Sequence, residues 1–288
     1  MSQDAPTAAQ LASWDLAHVW HPFTQHDAWE TDGPPLIIDR AEGVFLIDVD
    51  GARYLDGVAS LWTNVHGHGH PAMVAALISQ LQRVAHSTLL GLGGTSSILL
   101  AKRLVELVAR IPGDGAPLSR VFYSDAGSTA VEVALKVAFQ HHQQRGAPLR
   151  TRFCALAQAY HGDTIGSVSV GGVDLFHAIY RPLLFDAVRI PSPDRPDPTD
   201  EAACLRQAEA IFATHGPTLA GLIVEPLVQG AAGMRMHSPG YLRALATLCH
   251  DAGALFIVDE VATGFGRTGT MFALEQVGVR PDILCLAK

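Results

Sequence analysis

The sequence predicts an α/β protein with a mainly parallel sheet covered by helices, and an N-terminal segment that contributes to a smaller domain. Three observations carry this. From about residue 70, short apolar runs alternate with amphipathic runs of helical period, the pattern of crossovers between parallel strands. A chain of 288 residues holds about two domains and can bury a sizeable core. Before that point the pattern differs, because residues 36–57 (LIIDRAEGVFLIDVDGARYLDG) read as a β-meander with a turn at Asp50-Gly51. The expected division is an N-terminal segment over 1–65, carrying the meander as part of a small domain, and a large domain over 66–288.

In the large domain, apolar spacing predicts helices over 71–85 and 97–109. Short apolar runs at 120–123, 153–156, 219–224, 254–258 and 283–287 predict strands. The stretch PSPDRPDPTD at 191–200 reads as an exposed loop, since its prolines sit among aspartates. Ser238-Pro239 is an N-cap followed by a first-turn proline, and Gly253 closes that helix. Residues 219–258 therefore form one β-α-β unit.

Lys and Arg total 20 against 28 Asp and Glu, a net charge of −8, which argues against nucleic acid or an anionic membrane as partner. Only 17% of residues are charged and 48% are apolar, which points to extensive buried surface including a subunit interface. A homodimer is the expected assembly. The four cysteines, Cys154, Cys204, Cys249 and Cys285, form no CxxC, which removes zinc-ribbon and thioredoxin readings and suits a reducing compartment. The N-terminus has no basic stretch followed by an apolar core, and no apolar run approaches the ~20 residues that span a bilayer. The expected location is the cytoplasm.

Ligands of parallel sheets gather at the carboxyl ends of the strands. Three predicted strand ends carry ionisable groups: Glu225 after GLIV, Asp259 after LFIV, and Lys288 after ILCLA. Lys288 is one of only three lysines. Lys102 lies on an amphipathic helix, and Lys136 stands four residues after Glu132 as an ordinary i,i+4 pair. A lysine following an apolar strand is partly desolvated, which favours the neutral, nucleophilic amine; the plain alternative is a snorkelling strand-end lysine. In RVFYSDAGSTAVEVALK, a turn with Gly127 leads into a helix from Ser128, which aims free N–H groups as a phosphate cradle; the alternative is a simple Ser cap. GLGGTS at 91–96 lacks a preceding strand and reads as a plain connection. His66, His68 and His70 have no carboxylate or cysteine set at zinc spacing, so no metal is expected. No GxSxG elbow or cysteine nucleophile is present.

A phosphate cradle, a strand-end Asp and a strand-end Lys together resemble a pyridoxal phosphate site. The strings WHPFTQ (20–25), YLDGVASLWTNVHGHGHP (54–71), SDAGSTAVEVALK (124–136), AYHGDT (159–164), IVEPLVQGAAGMRM (223–236), IVDEVATGFGRTG (257–269) and PDILCLAK (281–288) resemble the class III aminotransferases of fold type I, and within them the biotin-synthesis branch. The resemblance implies that Lys288 is the Schiff-base lysine and Asp259 the partner of the pyridinium nitrogen. It implies that Gly127 and Ser128 bind the phosphate, that Tyr160 stacks on the ring, and that Glu225 lies near the ring substituents. Phe23, Leu61 and Trp62 would line the substrate pocket, with Tyr160 at its border. Phe23 and Leu61 depart from the Tyr and Trp common in that branch, which bears on the choice of amino donor.

The implied reaction converts 8-amino-7-oxononanoate to 7,8-diaminononanoate with S-adenosylmethionine, or in some relatives lysine, as donor. Another ω-amine aminotransferase and a non-catalytic binding or assembly protein of the same fold are the alternatives. The resemblance also implies a C-terminal small domain beyond Lys288. If the 288 residues are the whole polypeptide, poor cofactor binding and no transamination are expected.

Overall fold

The computed structural model describes residues 5–31 and 35–288, so residues 1–4 of the N-terminal stretch lie outside it. The chain divides into two compact units, Met1–Thr88 and Leu89–Lys288.

In the first unit, helix α1 (Ala8–His18) starts at Thr7. Its Oγ1 accepts from Gln10 N–H at 3.2 Å while Gln10 Oε1 accepts from Thr7 N–H at 2.9 Å, a reciprocal cap. α2 (His26–Thr31) follows, then the antiparallel strands β1 (Ile38–Glu42), β2 (Phe45–Asp48) and β3 (Arg53–Leu55), which form the meander. Its second turn falls at Asp50-Gly51, where Asp48 Oδ1 accepts from Asp50 and Ala52 N–H at 3.0 and 2.8 Å and Gly51 takes φ +86°. The turn α3 (Ala59–Trp62) and helix α4 (Pro71–Arg83) complete the unit. The compact units thus part at Thr88 and Leu89, later than residue 65, because the helical period of α4 carries no information about which elements it groups with.

The second unit runs α5 (Thr95–Val108), α6 (Gly127–Gln144), β4 (Arg152–Leu156), α7 (Ile165–Val170), α8 (Asp174–His177), β5 (Val188–Ile190), α9 (Pro198–His215) and β6 (Leu219–Val224). It continues with the hairpin β7 (Val228–Gln229) and β8 (Arg235–Met236), then α10 (Pro239–Asp251), β9 (Leu255–Asp259), α11 (Leu274–Val277) and β10 (Ile283–Cys285). Five strands form one parallel sheet in the order β10-β9-β6-β4-β5. β6 is central and all six of its residues are buried. Side-chain alternation sends Leu222, Val224, Leu156, Phe256 and Val258 to a core shared with α9 and α10. Ile223, Phe153, Ala155 and Ile257 go to the other face, joined by Ala220 across the register shift between Arg152 and Phe153, and there α6 presents Val131, Ala134, Leu135 and Ala138 at helical spacing. The result is a helix–sheet–helix sandwich, as the alternating pattern implied.

The α10 signals hold. Ser238 Oγ accepts from Tyr241 N–H at 3.1 Å, and Gly253, at φ +69°, follows the last turn. Three details differ from expectation. Residues 120–123 join no ladder among the described residues, and Phe122 is 73% exposed, since an apolar run becomes a strand only with a hydrogen-bonding neighbour. β10 stops at Cys285, so Leu286 to Lys288 continue beyond the pairing. The tail of the 191–200 loop opens α9, with Asp197 accepting from Thr199 and Asp200 N–H and Pro198 in the first helical position.

Leu222 is fully buried at the sheet centre, whereas Leu149 is 76% exposed. In urea unfolding, Leu222→Ala should cost about 2–5 kcal/mol through lost burial and a cavity, and Leu149→Ala within about 0.5 kcal/mol. Comparable losses at the two sites would refute this placement of the core.

Candidate functional site

Parallel register brings the chemistry to one edge. Val224 pairs with Val258, and Asp259 pairs with Cys285. Extending the ladder by one residue sets Glu225 beside Asp259, and Lys288 follows Cys285 by three residues, within about 10 Å of chain. Tyr160 and His161 follow the end of β4 at the same edge. Glu225 and Asp259, two of the three groups singled out in the sequence, therefore share one end of the sheet, and Lys288 lies three residues past the last pair of β10.

Their environments are specific. Asp259 is 4% exposed, its Oδ1 accepts from Val261 N–H at 3.0 Å, and its Oδ2 accepts from His161 Nδ1–H at 2.7 Å. His161 has a fully buried side chain, and its Nε2 meets no partner among the described residues. Glu225 accepts from Tyr160 N–H at 3.1 Å and Gly230 N–H at 3.0 Å. Burial pushes its carboxyl up to about 7, and neighbouring Asp259 adds to this while His161 and the two N–H donors oppose it. The Tyr160 hydroxyl donates to Asp163 Oδ2 at 2.6 Å, and burial, then Asp163, hold the phenol above its ordinary range. Lys288 is half-buried.

The α6 N-terminus reaches this edge through close backbone approaches. A Cβ on Gly127 would lie 2.6 Å from Val261 Cγ1, and one on Gly162 would lie 2.3 Å from Ser128 Cβ. Gly162 also takes φ +111°, a conformation other residues rarely adopt. The helix is capped at Ala126, whose N–H donates to Thr129 Oγ1 at 2.9 Å. Ser128 is thus the second residue of the helix and not its cap, which removes the plain reading of that serine. Its N–H and hydroxyl stand in the first turn, where anions are favoured.

Phe23, Leu61 and Trp62 belong to the first unit, and their pocket role rests on the motif resemblance. Phe23 is exposed at φ +54°. Residues 59–62 are wound left-handed, with φ of +49°, +48°, +64° and +69°, a strained run for non-glycine residues. Asp56 holds this turn by accepting from Ser60 N–H and Oγ–H at 2.9 and 2.8 Å. Asp56 also accepts from His68 Nε2 at 2.8 Å. Among the described residues no group of three or more His, Cys, Asp or Glu is arranged to hold a metal. Cys154, Cys204, Cys249 and Cys285 are buried and unpaired, and burial pushes the Cys154 thiol up to about 12.

Three site residues escaped the sequence reading. His161 stands beside Tyr160 in the YHGD string, and its ionisable ring was the available signal. Glu260, fully buried next to Asp259, accepts from Ala273 and Leu274 N–H at 2.8 and 2.9 Å and so anchors the far end of the 260–274 loop. Glu132 does not pair with Lys136. Its Oε1 accepts from Gly166 N–H at 2.7 Å, and Lys136 is exposed.

The raised Glu225 carboxyl has a stability consequence. A carboxyl with a folded-state pKa above its unfolded value contributes stability that is fully present below about 4.5 and lost as pH rises to about 7. Glu260, also pushed up to about 7 by burial, acts in the same direction. Glu225→Gln should lower stability at pH 5, yet flatten the decline between pH 5 and 7.5 in urea titrations. An unaltered slope would show that Glu225 contributes nothing to it.

The family model for aminotransferase class III matches residues 27–288. The chain is 58% identical to an adenosylmethionine-8-amino-7-oxononanoate aminotransferase of Nitratidesulfovibrio vulgaris, over 99% of this chain and 53% of that relative. The crystal structure of an enzyme of the same name from Methanocaldococcus jannaschii superposes with a TM-score of 0.87 at 41% identity, over 96% of this chain and 61% of that one. An amine transaminase from an uncultivated Pseudomonas species, solved in its PLP-bound internal aldimine form, gives a TM-score of 0.85 at 38% identity, over 93% and 61% of the two chains. The chain thus spans about half to three-fifths of the length of these relatives. Since the family model covers all but the first 26 residues, the chain belongs to the class III aminotransferases.

Proposed function

We propose that this chain carries the cofactor-binding part of a pyridoxal phosphate-dependent transaminase. The reaction is amination of 8-amino-7-oxononanoate to 7,8-diaminononanoate, with S-adenosylmethionine as donor. The observation that carries the reading is the convergence of Glu225, Asp259 and the approach to Lys288 on one sheet edge, with the α6 N-terminus packed against Val261 and Gly162. The names of the relatives from N. vulgaris and M. jannaschii support the substrate pair. Assembly as a cytoplasmic homodimer completes the proposal. It is supported by apolar side chains such as Leu77 and Leu81 of α4 exposed at 63% each, and by the absence, among the described residues, of a helix long and apolar enough to cross a membrane.

The residues present fit pyridoxal phosphate. The first turn of α6 offers Ser128 and free N–H groups to a phosphate, and side chains at Gly127 and Gly162 would collide with Val261 and with Ser128 beside it. Asp259, buried and oriented by His161, offers a carboxylate for a protonated ring nitrogen. Tyr160 supplies a flat face and Lys288 an amine. When bound, the cofactor supplies an electron sink for the carbon that loses its proton. Lys288 Nζ would hold the cofactor covalently. When not so engaged, Lys288 Nζ would take and return the proton of the donor carbon. Asp259 would hold a proton on the ring nitrogen, and His161 Nδ1–H keeps Asp259 aimed. Glu225, tied to Tyr160 N–H, holds the aromatic segment at the strand end.

The direct test is to offer S-adenosylmethionine and lysine separately with 8-amino-7-oxononanoate and to follow 7,8-diaminononanoate. Product from neither donor, with turnover of other ω-amines, would move the reading to a general amine transaminase, in line with the likeness to the Pseudomonas enzyme. Lys288→Ala should abolish both the visible absorbance of bound cofactor and turnover; a variant that still carries reducible covalent cofactor would overturn the lysine assignment. Asp259→Asn should keep cofactor affinity within about tenfold while cutting turnover on the order of 100-fold or more, because the lost interaction is one of charge at the ring. An unchanged rate would make Asp259 structural.

A further inference from the structure

The segment from Tyr160 to Ser167 carries the proposed stacking aromatic, and it is anchored from three directions. Tyr160 N–H donates to Glu225 and His161 Nδ1–H donates to Asp259, so the sheet edge holds its first two residues. Its far end is held from α6, where Glu132 Oε1 accepts from Gly166 N–H at 2.7 Å. Gly166 is the second residue of α7, and its N–H is one of the helix's unfilled donors. Thr164, at the α7 N-cap, makes no side-chain cap bond and instead pairs with Ser167 Oγ at 2.8 Å. Glu132 therefore supplies the cap from another helix. The fit is close: a Cβ on Gly166 would lie 2.3 Å from Glu132 Oε2. Between the anchors, Gly162 lies directly on Ser128. Glu132 sits four residues after Ser128 on α6, so one helix turn links the phosphate cradle to the carboxylate that grips the aromatic segment.

We propose that Glu132 is a positioning residue that locks the Tyr160–Gly166 segment onto the phosphate-binding turn of α6, so that ring stacking and phosphate binding are set as one unit. This rests on the assignment of pyridoxal phosphate to the site. Glu132 does not touch the cofactor; it acts through Gly166 N–H and the spacing between Gly162 and Ser128.

The test measures pyridoxal phosphate affinity by absorbance titration of the purified protein, together with amide hydrogen exchange of residues 160–167 before cofactor is added. Glu132→Ala should speed exchange across 160–167 and weaken pyridoxal phosphate binding roughly tenfold to a hundredfold, the scale of a hydrogen bond to a charged group. Glu132→Gln, which keeps an acceptor oxygen, should restore affinity to within about threefold. Lys136→Ala should leave binding unchanged. Gly166→Ala should resemble Glu132→Ala, because its methyl displaces the carboxylate, and the double variant should be no worse than either single one. Additive losses would overturn the proposal. So would a Glu132→Ala protein with lower thermal stability but unaltered affinity and exchange, since that would be helix stabilisation alone. Failure of the unsubstituted protein to bind pyridoxal phosphate would instead remove the functional reading, while faster exchange in Glu132→Ala would still report the anchor.

Discussion

Parallel pairing of β6, β9 and β10 is the constraint on which the rest of the site depends. Because these strands run the same way in fixed register, the residues after Val224, Val258 and Cys285 must emerge at one edge. Those after the two inner strands are acidic: Glu225, Asp259 and Glu260, all buried. Buried carboxylates persist only when their oxygens are met by donors. Here each is met differently, Glu225 by two backbone N–H groups, Asp259 by Val261 N–H and a histidine, and Glu260 by backbone N–H groups at the start of α11. The donors come from the loops after the strands, so satisfying these charges also shapes the loops.

The 160–167 segment illustrates the consequence. It has little regular structure of its own before α7, yet its backbone and side chains are engaged by groups at the ends of β6 and β9 and by α6. Gly162 and Gly166 allow that approach, since a side chain at either would collide with Ser128 or Glu132. A loop tied in this way presents Tyr160 in a defined place without needing a strand to carry it, consistent with functional residues on loops held by a rigid scaffold.

The first unit uses a different device. Its left-handed turn at 59–62 stores backbone strain, and Asp56 stabilises it with two hydrogen bonds to Ser60 while also binding His68. Strain of this kind persists only where the surroundings hold it, and it concentrates at segments with a function. The turn contains Leu61 and Trp62, whose place in a substrate wall rests on the motif resemblance.

The meander, the helix–strand alternation, the cap and stop of α10, and the acidic strand ends Glu225 and Asp259 were legible in the amino-acid order, whereas Lys288 stands three residues past the end of β10. They depend on local spacing and on residues whose conformational preferences act within a few positions. Long-range packing settled the rest. It denied strand status to 120–123, because a strand needs a neighbour. It turned Glu132 from an expected i,i+4 partner of Lys136 into the cap of another helix, and it matched His161 to Asp259 across 98 residues of sequence. The last two pair a group with a partner remote in the chain, and no local pattern of period or propensity records which remote donor a buried carboxylate will meet.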